Sequence, residues 1–248
     1  MKRALLFLFL FTSRCSFAQV INIESKRFLN DTNGFVGSAL ANFSINQTTK
    51  QVIALGVNVH AQYQYNRHRI LAITDLSFIK AGDQDFVNSG YQHVRYNYKI
   101  VNRVTWEAFV QGQYNRVLLL DRRYLVGTGP RFKVVKKKNF RVYTACLYMY
   151  EYQVQNFDSI TKYNNRLSTY VTVSFALSKI LDFTSTTFYQ PNLADFADYR
   201  IANDSALEFN LSQKLNFRVG FNMLYDTRQP RGIPAMTYML KNGIGYKF

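Results

Sequence analysis

From about Phe35 onward the chain alternates between apolar and polar residues. In the run beginning at Ile53, residues Ile53, Leu55, Val57, Val59, Ala61 and Tyr63 fall on one side of an extended backbone, and Ala54, Gly56, Asn58, His60 and Gln62 on the other. Near the end, Leu215, Phe217, Val219, Phe221, Met223 and Tyr225 are all apolar, while Asn216, Arg218, Gly220, Asn222 and Asp226 are small or polar; only Leu224 breaks the pattern. Comparable runs cover about 35–46, 69–80, 90–100, 104–115, 123–134, 140–152, 166–176, 181–190, 200–211 and 236–248. Period-2 alternation of this length is evidence for strand, not helix. About twelve strands are therefore predicted, in an all-β chain. The runs at 181–190 and 200–211 fit least well, because Ser185, Thr187, Asn203 and Ser205 stand on the face that is otherwise apolar.

The connections sort into two kinds. Ala81 to Ser89, Gln153 to Asn165, Pro191 to Tyr199 and Thr227 to Ala235 are long and polar, whereas those around Asn66-Arg67, Val101 to Arg103, Lys136 to Asn139, Ser178-Lys179 and Ser212 to Lys214 are tight. Long and short connections at alternate ends predict a transmembrane up-and-down antiparallel β-barrel with short periplasmic turns and longer outer loops. An even strand count places both termini on the periplasmic side. Tyrosines near run ends (Tyr63, Tyr96, Tyr98, Tyr114, Tyr150, Tyr152, Tyr189, Tyr225, Tyr246) suit the two membrane–water interfaces. Pro130 lies within one run, and a closed barrel has no free edge to absorb its missing donor, so a bulge or strand end is expected there.

Both ends of the chain carry address-like features. The last stretch, Met236 to Phe248, places Ile244, Tyr246 and Phe248 on one face and Gly243, Gly245 and Lys247 on the other. A terminal strand ending on an aromatic residue resembles the membrane-insertion signal of bacterial outer-membrane barrels, which implies the barrel-assembly machinery as a partner. At the other end, Lys2 and Arg3, an apolar core from Ala4 to Phe11, and Ser16-Phe17-Ala18 before Gln19 read as a secretory signal peptide over residues 1–18. Arg14 beside Cys15 argues against a lipoprotein. Residues 19–33 are then an N-terminal periplasmic segment or plug, and 34–248 the barrel. No later apolar run approaches the ~20 residues of a spanning helix.

The segments NSGYQHVRYNYKI (88–100), VGTGPRF (126–132), LYMYEYQ (147–153), STTFYQP (185–191) and the YKF ending are similar to an uncharacterised bacterial outer-membrane family whose members carry the label salt-induced outer membrane protein. The similarity covers most of the chain after the leader and rests on diffuse strand motifs. It implies a barrel in the outer membrane of a Gram-negative bacterium and no established activity.

Composition refines this reading. Of the 31 lysines and arginines, Lys2, Arg3 and Arg14 lie in the leader, so 28 face 15 acidic residues in the rest of the chain, a formal +13. Such a balance invites nucleic acid, but the basic residues are scattered, with Val135 to Lys138 the one cluster. Outer-membrane lipids and lipopolysaccharide are the better-matched partners, and no nucleic acid is expected. Cys146 is the one cysteine after the leader, which leaves no internal disulfide. The sequence sets no oligomeric state.

On the inward face, a polar network of His60, Asp75, His93, Arg95, Glu107, Arg131, Arg141, Glu151, Glu208 and Arg218 is expected, within a wider set that includes Lys99, Arg123, Lys133, Arg166, Asp182, Arg200, Asp204, Asp226, Lys241 and Lys247. Buried charges must be paired or wetted. The network therefore reads either as a salt-bridged structural lumen or as a narrow pore with a slight anion preference. His60 and His93, near Asp75 and Ser77, also suggest a lipid-modifying hydrolase, though the chain has neither a nucleophile elbow nor a His-x-Ser-Asn motif. A soluble, lipocalin-like binding protein is the third reading. Asp83, Asp85, Asp195 and Asp198 are loop carboxylates without calcium-loop spacing. Gly127 and Gly129 lack the helix of a phosphate cradle, so neither metal nor cofactor is implied.

Overall fold

The computed structural model describes residues 33–47, 51–81, 84–137, 139–155, 160–212, 215–230 and 232–246. The predicted leader, all of the 19–33 segment except Asn33, and Phe248 lie outside the described residues. Twelve strands follow in order: β1 (Gly34–Gln47), β2 (Gln51–Tyr65), β3 (His68–Ala81), β4 (Gln84–Val101), β5 (Val104–Asn115), β6 (Leu120–Lys136), β7 (Phe140–Gln155), β8 (Ile160–Ala176), β9 (Leu181–Pro191), β10 (Tyr199–Asn210), β11 (Leu215–Asp226) and β12 (Met236–Tyr246). Each is hydrogen-bonded antiparallel to the next, in one sheet without crossovers. Among the described residues no ladder joins β12 to β1.

The alternation is read out as two faces. Tyr63, Val94, Val110, Val126, Val171, Phe221 and Leu240 are exposed, while Gln62, Arg95, Glu107, Leu125, Arg166, Asn216 and Thr237, of opposite parity on the same strands, are buried. At β12 the contrast is stark: Leu240 is 66% exposed and Thr237 3%. Apolar rows point out and polar ones in, the inverse of a soluble lipocalin-like barrel. Two bands of rings run along the outside. Tyr124, Tyr152 and Tyr163 form one row with centroids 6.1 and 5.3 Å apart, continued by Tyr189, Tyr199 and Tyr225 at 5.8 and 6.0 Å. Toward the other end Phe140, Phe175 and Phe183 lie in a second row, at 4.6 and 6.5 Å, with Phe209 and Phe217 at 6.1 Å. From Phe217 to Tyr225 is about 27 Å along the strand and about 20 Å in height at a ~40° tilt. Apolar surface between two aromatic girdles is the outside of a membrane barrel.

The two ends differ less in loop length than the sequence suggests. At the turn end, two-residue hairpins at Asn66-Arg67 and Asn102-Arg103 are as expected, with Asn66 at φ 52°, a left-handed conformation that Asn tolerates. At the loop end, the connections expected at 81–89 and 153–165 shrink, because β4 starts at Gln84, β7 runs to Gln155 and β8 starts at Ile160. Their polar residues extend the ladder where it need not meet lipid. Only 192–198 and 227–235 remain as long loops.

The wall is uneven in height. β6, β7 and β8 have 17, 16 and 17 residues, β9 to β12 only 11 or 12. The β8–β9 ladder begins at Thr169↔Tyr189, so the first residues of β8 stand above β9, touched by one bridge, Arg166↔Asn192.

Pro130 neither ends β6 nor bulges it. The β6–β7 ladder passes from Thr128↔Tyr148 to Arg131↔Ala145 in unchanged register, and the shift comes later, between Lys133 and Val135. The missing donor is absorbed at Gly129, where an added Cβ would stand 2.3 Å from the Cys146 carbonyl oxygen. Close approach of β7 to a side-chain-free position closes the gap that proline leaves.

Candidate functional site

The interior holds three layers. Nearest the loop end is an ion cluster around Glu151, which is 0% exposed. Arg200 reaches it from β10, with Nη1 on Oε2 and Nη2 donating to Oε1 at 3.0 Å, while its Nε donates to Asp226 Oδ2 at 2.6 Å. Arg166 of β8 places Nε 3.4 Å from Glu151 Oε2 and grips Asp198 bidentately at 2.9 and 3.0 Å. Arg123 of β6 donates twice to Gln153 Oε1, at 2.9 and 2.6 Å. Three guanidiniums thus face three carboxylates. Charges removed from water persist when they are paired and hydrogen-bonded.

Below lies an apolar layer made of Phe109, Leu118, Leu125, Ala145, Leu147, Met149, Tyr170, Phe188, Ala202 and Leu224. It draws on every strand from β5 to β11, whose inward side chains pack as one cluster. Two features bring the loop end into it. The 3-10 turn Arg116–Leu118 is capped by Asn115, whose side chain accepts from Leu118 N at 3.1 Å, and closes on Leu119 at φ 56°. That strained turn points Leu118 inward. Ile233, in the loop between β11 and β12, packs against the same layer. Gly127 makes room for the Phe109 ring, which would stand 2.4 Å from an added Cβ.

The third layer, nearer the turn end, centres on Glu107, also 0% exposed. Arg95 Nη1 donates to its Oε2 at 2.8 Å, Tyr170 Oη donates to the same oxygen at 2.9 Å, and Arg131 Nε lies 3.7 Å from Oε1. The guanidinium carbons of Arg95 and Arg131 lie 5.0 Å from the Phe109 and 3.9 Å from the Tyr143 ring centroid, so cation–π attraction adds to the ion pairs. Tyr170 and Glu107 belong to β8 and β5, three ladder steps apart and about 14 Å along the wall. Their contact bridges about a quarter of the twelve-strand wall.

Of the residues expected to form the network, Arg95, Glu107 and Arg131 come together in this third layer and Glu151 anchors the first. Arg141 and Arg218 belong to neither. Glu208 stands opposite Arg218 in register. Asp75 accepts from Asn58 Nδ2 at 2.9 Å. His93 stacks between Tyr91 and Phe109 at 6.1 and 5.4 Å, with Nδ1 3.0 Å from Gln111 Oε1. His60 is buried and faces His93 across Ile73, on opposite sides of β3. None of the contacts described for His60, His93 and Asp75 links them to one another or to Ser77. Ile244 and Tyr246 lie in β12, with side chains outside the described set.

Asp198 carries a role that the sequence alone did not show. It is not a free surface carboxylate: the 192–198 loop folds it back onto Arg166, with Asn192 Nδ2 donating to Oδ2 at 3.2 Å. Asp195 pairs with Arg228 of the other long loop at 3.1 Å. The spacing of Asn192 and Asp198 about a six-residue turn was the available signal, but it means nothing until β8 is placed beside it.

An up-and-down barrel of twelve strands, greasy outside and ion-paired within, defines a porin-like class of fold. The chain belongs to the family described as Protein of unknown function, DUF481, which matches residues 41–248. That description carries no salt-induced label and assigns no activity. Among solved structures the chain is similar to the NanC porin, at 11% identity and TM-score 0.51, covering 86% of this chain and 99% of that one. It is also similar to the KdgM porin, alone and in complex with disordered oligogalacturonate, each at 10% identity and TM-score 0.46, covering 87% and 99%. No curated protein matches it. At this identity the likeness to NanC supports the fold alone.

Proposed function

We propose that the protein is a non-enzymatic outer-membrane β-barrel of the cell envelope whose lumen is closed by its own side chains. The loop end faces outward and the turn end the periplasm. The observation that carries this reading is the bridging of the interior at two heights, by Tyr170 on Glu107 and Arg200 on Glu151, with the apolar layer between them. An ion crossing that layer would shed its water among phenylalanine and leucine, with no charge to replace it. The basic surplus of the chain suits lipopolysaccharide phosphates at the outer surface. Insertion through the barrel-assembly machinery is proposed on the terminal Ile244, Tyr246 and Phe248.

Two measurements test this. Fractionation should place the protein in the outer membrane with heat-modifiable gel mobility, and recovery in a buffer-soluble fraction would end the membrane reading. In planar bilayers the purified barrel should pass no steady current. A narrow anion-preferring pore is the second reading, favoured by the two guanidiniums, Arg95 and Arg131, gathered on the one Glu107 carboxylate. A stable conductance whose reversal potential in a salt gradient shows anion selectivity would establish it in place of the closed barrel.

A further inference from the structure

The outward rows of β9 and β10 depart from the apolar rule at four adjacent positions, Ser185, Thr187, Asn203 and Ser205. In the sheet register Ser185 stands opposite Ser205 and Thr187 opposite Asn203, so the four form one compact square on the outer wall. Asn203 Nδ2 donates to Ser185 Oγ at 3.1 Å and Thr187 Oγ1 at 2.9 Å, and Ser205 Oγ lies 2.9 Å from Ser185 Oγ and 2.8 Å from Asn203 Oδ1. Three other outward hydroxyls are handled differently. Thr128, Thr144 and Thr169 each return their proton to a backbone carbonyl, on Glu107, Tyr170 and Tyr189. Within the square the side chains bond to one another, and Thr187, which is exposed, only accepts. Its hydroxyl hydrogen has no acceptor among the described residues of the wall.

Height decides what can supply one. Two residues above Thr187 on β9 is Tyr189 of the tyrosine row, and two below Ser185 is Phe183 of the phenylalanine row. The square thus sits between the girdles, where lipid offers acyl chain and no headgroup. Backbone or side-chain donors left to hydrocarbon are costly, and in membranes hydroxyl and amide groups act as contacts between proteins. A partner must also be uncharged here, since the square holds no ionisable group. Every member is able both to donate and to accept, which makes the surface complementary to itself, as a two-fold interface requires.

We infer that the outer wall of β9 and β10 is a pairing surface on which a second copy of this chain docks through Ser185, Thr187, Asn203 and Ser205. The inference rests on the membrane placement proposed above. It is tested in outer membranes containing the full-length chain with Cys146→Ser and Thr187→Cys. Oxidation should yield a disulfide-linked dimer, while the same treatment of Cys146→Ser with Val110→Cys, on the outward face of β5, should yield none. In detergent the native barrel should sediment as a dimer. The variant Ser185→Ala, Thr187→Val, Asn203→Leu and Ser205→Ala should lose that dimer and keep its heat-modifiable mobility. A monomeric native barrel in the outer membrane, equal crosslinking at both positions, or crosslinking to a protein of another mass would each overturn the pairing. A chain absent from the membrane would instead overturn the reading beneath it. If the fourfold variant fails to assemble, the crosslinking comparison alone decides.

Discussion

Glu151, like Glu107, gathers two guanidiniums from different strands. Glu151→Ala would leave Arg200 and Arg166 buried without their shared partner, which typically costs about 3–5 kcal/mol. The expected result is a lower urea midpoint for the refolded barrel, and a midpoint equal to wild type would show that the outer layer stabilises nothing. At this scale the sequence was partly legible. Alternation placed Arg95, Glu107, Arg131 and Glu151 inside, as found. It could not say which inward charges meet, since that depends on strand register and, for Arg200 on Glu151, on strands three apart in order. Tyr170 is the clearest miss: the alternation did not single it out, yet it is the donor that ties β8 to β5.

The elements were more legible than their ends. Twelve strands in meander order were predicted and found, since side-chain period fixes which residues share a face. Boundaries failed where polar residues were taken for loops, at 81–89 and 153–165, because a strand standing clear of lipid needs no apolar row. The loop from Thr227 to Ala235 is the element whose role was least visible beforehand. It reaches the barrel through Ile233, through Thr227 Oγ1 donating to the Ala197 carbonyl at 2.9 Å, and through the exposed Arg228–Asp195 pair. Exposed ion pairs hold little, so Ile233 is the main anchor. Ile233→Asp should lift the loop. In a background of Cys146→Ser with Leu224→Cys, a soluble maleimide should then label the introduced thiol faster than when Ile233 is intact. Equal labelling rates would show that the loop does not cover the apolar layer.

At the scale of the whole molecule, burial governs the response to salt. Between about 0.1 and 1 M the Debye length falls from ~10 to ~3 Å, which weakens exposed pairs and barely touches buried ones. If Glu107 and Glu151, both fully buried, close the lumen as proposed, the barrel should stay non-conducting across that range. Current appearing at high salt would place the closing contacts at the surface. The general architecture was open to reading because lipid imposes one rule on every strand. The contacts inside were not, since a polar inward row is the same in a channel and in a plug until side chains of strands three apart are placed, as with Tyr170 and Glu107.

The uneven strands carry a consequence of their own. Where β6, β7 and β8 rise, the barrel has a tall back; over β9 to β12 it has a low front, crossed by 192–198 and 227–235. A molecule meeting the loop end can lean in over that low sill. Two copies back to back would have opposed entrances, but two joined at β9 and β10 bring their sills together, so their rims would enclose one shared basin.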